Sequence, residues 1–192
     1  MNYLAHLALS NYNDEHLIGN FITDLVKRDE LQQFSLPVLH GVTMHQHIDG
    51  FTDRHKLVLE AKSLIKKRSR RYAGILLDIY FDHLLIRHWN DLYSDDLDHF
   101  IAYAYDILAR HESLFPQKAK FFSQRLREYD LLSSYADIDG IRKALKGVDK
   151  RLKRPVGLDS FLDDILEEKD RIDQLFLPFY KDLQKFISSK FH

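Results

Sequence analysis

Apolar residues recur along most of this chain at intervals of three and four, the spacing that lines one face of an α-helix. After a short apolar N-terminal element, the pattern predicts a helix over about Asp14–Val26, with Asp14 and Glu15 suited to its positive end. Ser35 and Pro37 read as the next start, because proline is tolerated in a first helical turn. The helix that follows carries Val42, His45, Ile48 and Asp49 toward Asp53. His55–Lys67 is amphipathic, with Leu57, Ala61, Leu64 and Ile65 on one face, and Tyr72–Leu92 is apolar enough to predict burial on more than one side. Further helices are expected at Asp96–His111, Gln117–Tyr129, Asp137–Leu152 and Leu158–Phe191, the last bent or broken at Pro178. No repeat, low-complexity tract or Gly/Ser-rich linker interrupts them. The expected architecture is one all-α domain over residues 1–192, a bundle of seven to nine helices.

Composition narrows the function classes. Seven glycines and four prolines in 192 residues are roughly half the usual share, too few for the turns of a β-sandwich or barrel. With 45% hydrophobic and 30% charged residues, the chain has the profile of a folded domain rather than a disordered one. Cysteine is absent, which excludes disulfides, thiolate zinc sites, iron–sulfur ligation and cysteine nucleophiles, and fits a reducing compartment. A net charge of −1 gives no general attraction to nucleic acid. No apolar run reaches the ~18 residues of a membrane span. Met1–Tyr12 has neither a basic leader nor a cleavage pattern, so a cytoplasmic protein is expected. Charge is nevertheless uneven. Lys62, Lys66, Lys67, Arg68, Arg70 and Arg71 form one basic run, and Arg142, Lys143, Lys146, Lys150, Arg151, Lys153 and Arg154 a second, opposed only by Asp149. The two runs are candidate surfaces for an acidic partner.

The chemistry-bearing residues concentrate early. His40, His45, His47, Asp49, Asp53 and His55 fall within sixteen positions, and His45, Asp49 and Asp53 would share one helix face. Asp78, Asp82 and His83 form a second set inside a very apolar stretch. Buried carboxylates are costly without compensation, so a divalent metal is one solution and pairing with Arg87 or Arg110 another. Nitrogen and oxygen ligands without thiolate suit Mn²⁺, Fe²⁺, Mg²⁺ or Zn²⁺. On pattern alone His6 and Asp24 read as packing or capping features. No G-x-S-x-G elbow, G-x-G-x-x-G loop or Walker A motif occurs.

Several blocks nevertheless carry a family likeness. Asn2–Leu7 (N-Y-L-A-H-L), Gly19-Asn20 with Asp24, Gly41–Asp53 (G-V-T-M-H-Q-H-I-D-G-F-T-D) and Asp78–Trp89 (D-I-Y-F-D-H-L-L-I-R-H-W) together resemble the bacterial acyl carrier protein phosphodiesterase family, an atypical relative of the HD phosphohydrolases. Tyr135–Asp139 and Arg154-Pro155 extend the resemblance over most of the chain. It implies an HD-phosphohydrolase-like helical fold and a Mn²⁺-dependent phosphodiesterase, with Mg²⁺ or Fe²⁺ as other metals, that removes 4′-phosphopantetheine from holo acyl carrier protein. It implies metal ligands among His6, Asp24, His45, Asp49, Asp78, Asp82 and His83, with catalytic roles for Asp24, Asp78 and His83. The doublet here is Asp82-His83, the reverse of the family order His-Asp. The implied partner is an acidic protein, for which the basic runs (Lys66, Lys67, Arg68, Arg70, Arg71; Arg142 to Arg154) would be docking surfaces, with no nucleic-acid or membrane partner. Other readings of the same residues are an HD-like hydrolase of a small nucleotide or phosphoester, and a non-catalytic helical metal-binding or adaptor protein.

Overall fold

Residues 2–191 are described by a computed structural model, and every regular element among them is helical. The chain opens with α1 (Tyr3–Ala8) and turns through left-handed Asn11 and Tyr12 into α2 (Asp14–Ile22), whose first turn is capped by Asn13 accepting from the His16 amide at 2.8 Å. The long α3 (Leu36–Arg54) and α4 (Lys56–Leu64) follow, then α5 (Ala73–Arg87) and the single turn α6 (Trp89–Leu92). The second half contains α7 (Leu97–Arg110), α8 (Gln117–Glu128), α9 (Leu131–Ser134), α10 (Ile138–Asp149), α11 (Leu162–Leu166) and α12 (Lys169–Phe191). Asp96 and Asp137 cap α7 and α10 through backbone amides, as the sequence positions of both aspartates suggest.

The all-α expectation holds, with no strand among the described residues. The described residues form twelve α-helices rather than the expected seven to nine because α1, α6, α9 and α11 have only four to six residues, too short for a sustained periodic signal. Tyr72–Leu92 divides at His88, whose ring is held by Asp173 at 2.7 Å and Asp91 at 3.1 Å. The final segment is interrupted before Lys169, and α12 then runs unbroken through Pro178. Proline inside a helix costs about 3 kcal/mol. Phe176, Phe179, Tyr180 and Leu183 on both sides of it are fully buried, at roughly 1.5–3 kcal/mol each, so packing outweighs the lost bond.

The buried apolar side chains form one contiguous cluster, with Leu4, Leu7, Phe21, Met44, Leu76, Leu84 and Phe176 among its members. α1 lies between α2 and α5, and α12 covers α3, α4 and α5. No helix among the described residues is long and apolar enough to cross a membrane.

The closest helix pair is α2 on α3, where two glycines meet. A Cβ on Gly19 would sit 2.1 Å from the Val38 carbonyl oxygen, and one on Gly41 would sit 2.5 Å from that of His16. Both are backbone atoms that cannot rotate away. Gly19→Ala or Gly41→Ala should therefore force the helices apart and cost at least about 1–3 kcal/mol, read as a lowered urea midpoint. A midpoint equal to the parent's would contradict this packing.

Candidate metal centre

The glycine contact sets the register of α3 on α2 and thereby places His45 beneath Asn20. The Asn20 carbonyl lies in the last turn of α2, where helix carbonyls lack partners, and His45 Nδ1 donates to it at 2.9 Å. The Asn20 side chain is fixed as well, its amide nitrogen donating to Ser10 Oγ at 3.0 Å and Met44 Sδ at 3.2 Å. Its remaining oxygen faces His6 Nδ1 at 3.4 Å, which makes Nδ1 the protonated nitrogen of that ring. One asparagine thus orients two histidines from two different helices.

The rings of His6 and His45 stack with centroids 3.8 Å apart and planes 12° from parallel. Both Nδ1 positions are engaged by oxygen acceptors, so in the neutral rings both Nε2 atoms present lone pairs to the same side. Asp49 waits there, Oδ1 at 3.1 Å from His6 Nε2 and Oδ2 at 3.3 Å from His45 Nε2. Asp24, in the turn after α2, adds an oxygen 3.6 Å from His45 Nε2. That buried nitrogen has no hydrogen-bond partner among the described residues, although both carboxylates lie within ion-pair distance of it. Lone pairs facing a carboxylate repel unless a cation lies between them. Nitrogen and oxygen atoms of His6, His45 and Asp49 all fall within 4.8 Å of one another, close enough for one ion to touch all three. The imidazoles are buried, whereas the Asp49 and Asp24 side chains are 43% and 70% exposed, so the cluster opens to solvent on its carboxylate side.

The charges follow from this geometry. Burial and the adjacent His45 hold His6 down at about 4. Burial also works against charging His45, but the Asp24 and Asp49 carboxylates outweigh it and push that ring up to about 9. His45 in turn holds Asp24 below the usual carboxylate range, burial opposing it. Asp49 is partly buried, which disfavours its charge, yet the two histidines hold its carboxyl well below that range. Without a metal, two carboxylates therefore face one proton-bearing ring near pH 7.

Asp78, Asp82 and His83 take no part in this close cluster of ligand atoms. Asp82 is fully buried, and its oxygens accept from the amides of Leu4 at 2.8 Å and Ala5 at 3.2 Å, closing the N-terminal turn of α1. Its compensation is a helix end rather than a cation, and Arg87 and Arg110 pair with Asp173 and Asp106 instead. Burial pushes Asp82 up to about 7 against the pull of the two amides, with Asp78 one turn earlier raising it further. His83 Nδ1 donates to the Tyr135 carbonyl at 2.8 Å, and burial lowers its basicity. The expected line from His45 through Asp49 also stops there, because Asp53 pairs with Lys62 at 2.9 Å.

The basic runs are partly consumed within the molecule. Lys66 and Arg68 hold the buried Asp164 at 3.6 and 2.5 Å, Lys66 also reaching Glu167 at 2.6 Å. Arg70 donates to the carbonyls of Ile65 and Ser63, and Arg71 lies 4.8 Å over the Tyr72 ring. Lys67 is exposed. Arg142 and Lys146 pair with Asp163 at 2.9 Å and Asp159 at 3.6 Å, while Lys143, Lys150, Arg151, Lys153 and Arg154 are exposed.

A family model described as acyl carrier protein phosphodiesterase matches residues 1–183. Among similar proteins, one named acyl carrier protein phosphodiesterase from Photorhabdus laumondii is 35% identical over 191 residues, 99% of this chain and 96% of its own. Proteins of that name from Yersinia enterocolitica and Klebsiella pneumoniae are 33% and 31% identical, covering 94% and 99% of this chain and of their own lengths. No solved structure matches.

Two outcomes test the electrostatics. Asp82→Ala strands two amides of α1 and should cost roughly 1–3 kcal/mol in urea unfolding, with an unchanged dependence on denaturant. In protein stripped of divalent ions, His45 holds its proton to about 9 when folded, against an ordinary value of 6.5. Its stabilisation is then complete below pH 6.5 and lost as the pH rises through 9. His45→Gln should flatten that alkaline decline, and a parent and variant with parallel pH profiles would refute the pairing.

Proposed function

Since the chain belongs to the acyl carrier protein phosphodiesterase family, we propose that it hydrolyses the phosphodiester that joins 4′-phosphopantetheine to a serine of holo acyl carrier protein. The products are the apo carrier and free 4′-phosphopantetheine. The supporting observation is the pair of Nε2 atoms of His6 and His45 aimed with Asp49 at one point. A divalent ion, Mn²⁺ first, fits this donor set of two imidazoles and a carboxylate, because it would attract the His6 lone pair and the Asp49 carboxylate and take the place of the proton that His45 otherwise holds. The chemistry such an ion supplies is polarisation of the phosphoryl oxygens and a lowered pKa for a bound water.

The protein's own residues divide the remaining work. His6, His45 and Asp49 hold the ion, and Asn20 fixes the tautomer of both rings by occupying their Nδ1 protons. Asp24, exposed at the mouth and kept ionised beside His45, is the group that takes a proton from the attacking water. The water oxygen bonds to phosphorus as its proton passes to Asp24, the phosphorus–oxygen bond to serine breaks, and the serine oxygen takes up a proton from solvent while Asp24 returns its own to solvent. Asp82 contributes by holding α1, and so His6, in place.

Purified protein incubated with Mn²⁺ and holo carrier should return the carrier to its apo mass. Chelation should abolish the reaction and added Mn²⁺ restore it. His45→Ala and Asp49→Ala should lower metal affinity or activity by on the order of 100-fold or more, at or beyond the roughly 10–100-fold typical of an outer-shell partner. Hydrolysis of small phosphodiesters or nucleotides with an untouched carrier would instead favour the small-substrate reading.

A further inference from the structure

Of the six large apolar side chains exposed to solvent among the described residues, three belong to one stretch of the chain. Leu114, Phe121 and Tyr129 are 54%, 58% and 54% exposed, and all lie on α8 or its immediate flanks. Single exposed apolar residues are ordinary on a protein surface, whereas a cluster of them is a contact surface in waiting. Phe121, Arg125 and Tyr129 are spaced four apart, so they stand in one row along the helix. The Arg125 guanidinium lies 5.6 Å from the Phe121 ring centroid and 4.9 Å from that of Tyr129. Arg125 makes no ion pair among the described residues, unlike Arg127, which is bound to Glu112. A guanidinium stacked on rings keeps its N–H edge open, the edge that takes a carboxylate in a bidentate pair.

The row leads to the cluster of ligand atoms. At the start of α8, Lys118 Nζ donates to the backbone carbonyl of Asp24 at 3.4 Å. On its inward side, Phe122 packs against Tyr3 of α1 with ring centroids 4.8 Å apart, and Tyr3 lies three positions, about one helical turn, before buried His6. α8 is therefore braced against the helix that carries His6, and runs roughly 18 Å from the end that touches Asp24.

We propose that this face of α8 is the docking surface for the carrier protein, with Arg125 and its two flanking rings as the anchor. The proposal rests on the carrier reading above. The partner chemistry it fits is a protein face bearing carboxylates around an apolar spot: carboxylates for Arg125 and Lys118, apolar contact for Phe121 and Tyr129. Nucleobases suit it less well, because stacking a base requires ring faces that Arg125 already covers. The basic run from Lys66 to Arg71 suits it less well too, because Lys66 and Arg68 already hold Asp164.

The test uses the full-length protein with Mn²⁺, titrated with apo carrier for binding and assayed with holo carrier for turnover. Arg125→Glu and, separately, Phe121→Ser should each weaken carrier binding and raise KM by about tenfold or more at low salt, with kcat at saturation changed far less. Both positions are exposed, and a thermal midpoint matching the parent's would exclude misfolding. Leu59→Ser, an exposed apolar site on α4, should leave binding and KM unchanged. Parent-like binding and KM in both α8 variants would overturn the docking surface while leaving the phosphodiesterase reading intact. Carrier that binds through α8 but is never hydrolysed would overturn the phosphodiesterase reading and leave the docking surface standing. Absence of carrier binding by the parent, or loss in Arg125→Glu of single-stranded oligonucleotide binding alone, would overturn the docking surface.

Discussion

The direct contact of two backbones, α2 and α3 at Gly19 and Gly41, is the constraint on which the rest of this structure depends. With no Cβ between them, the helices approach closely enough for the Asn20 carbonyl to be reached by a side chain from α3. Methionine and asparagine then interlock, Met44 Sδ accepting from the same amide that leaves its oxygen for His6. Each step is local and ordinary, but they are sequential. A wider helix separation would remove the His45 bond first, then the tautomer it sets, and with it the direction of the second nitrogen.

Two aspartates near α1 show how neighbours, rather than residue type, set acidity. Asp49 meets imidazoles, one of them carrying a proton, and remains ionised far into acid. Asp82 meets two backbone amides at the positive end of a short helix, and burial carries its pKa to about 7. A helix terminus offers a fraction of a charge, whereas an imidazolium offers a whole one. The first aspartate is consequently available to share a cation, and the second is committed to architecture.

The sequence made the helices legible wherever apolar spacing persisted for three turns or more, as in α3, α7, α8 and α10. It could not show that Pro178 would be carried through, because the opposing burial of Phe176, Phe179 and Tyr180 comes from tertiary partners. His45 and Asp49 were readable from their four-residue spacing, and His6 and Asp24 only through the family blocks. Asp78, Asp82 and His83 looked equivalent to them because spacing reports a shared face and not what that face meets. Asn20 carried a faint signal, a Gly-Asn pair near a helix end, whose meaning depends on a helix twenty-five residues away. The row on α8 has no signature in the sequence because it is defined by exposure, a property that composition does not encode.

The six-residue α1 has a further consequence for how the chain reaches its native state. So short a helix has no stability of its own, since nucleation costs more than one turn returns. Its anchors come from residues 78 positions ahead at Asp82 and 43 ahead at Asp49. On the ribosome the segment bearing His6 is made before α5 and must wait for it, since the Asp82 anchor lies on that later helix. A helix made ahead of its partners is thus fixed only after them, and acts as the closing stitch of the cluster it helps to build.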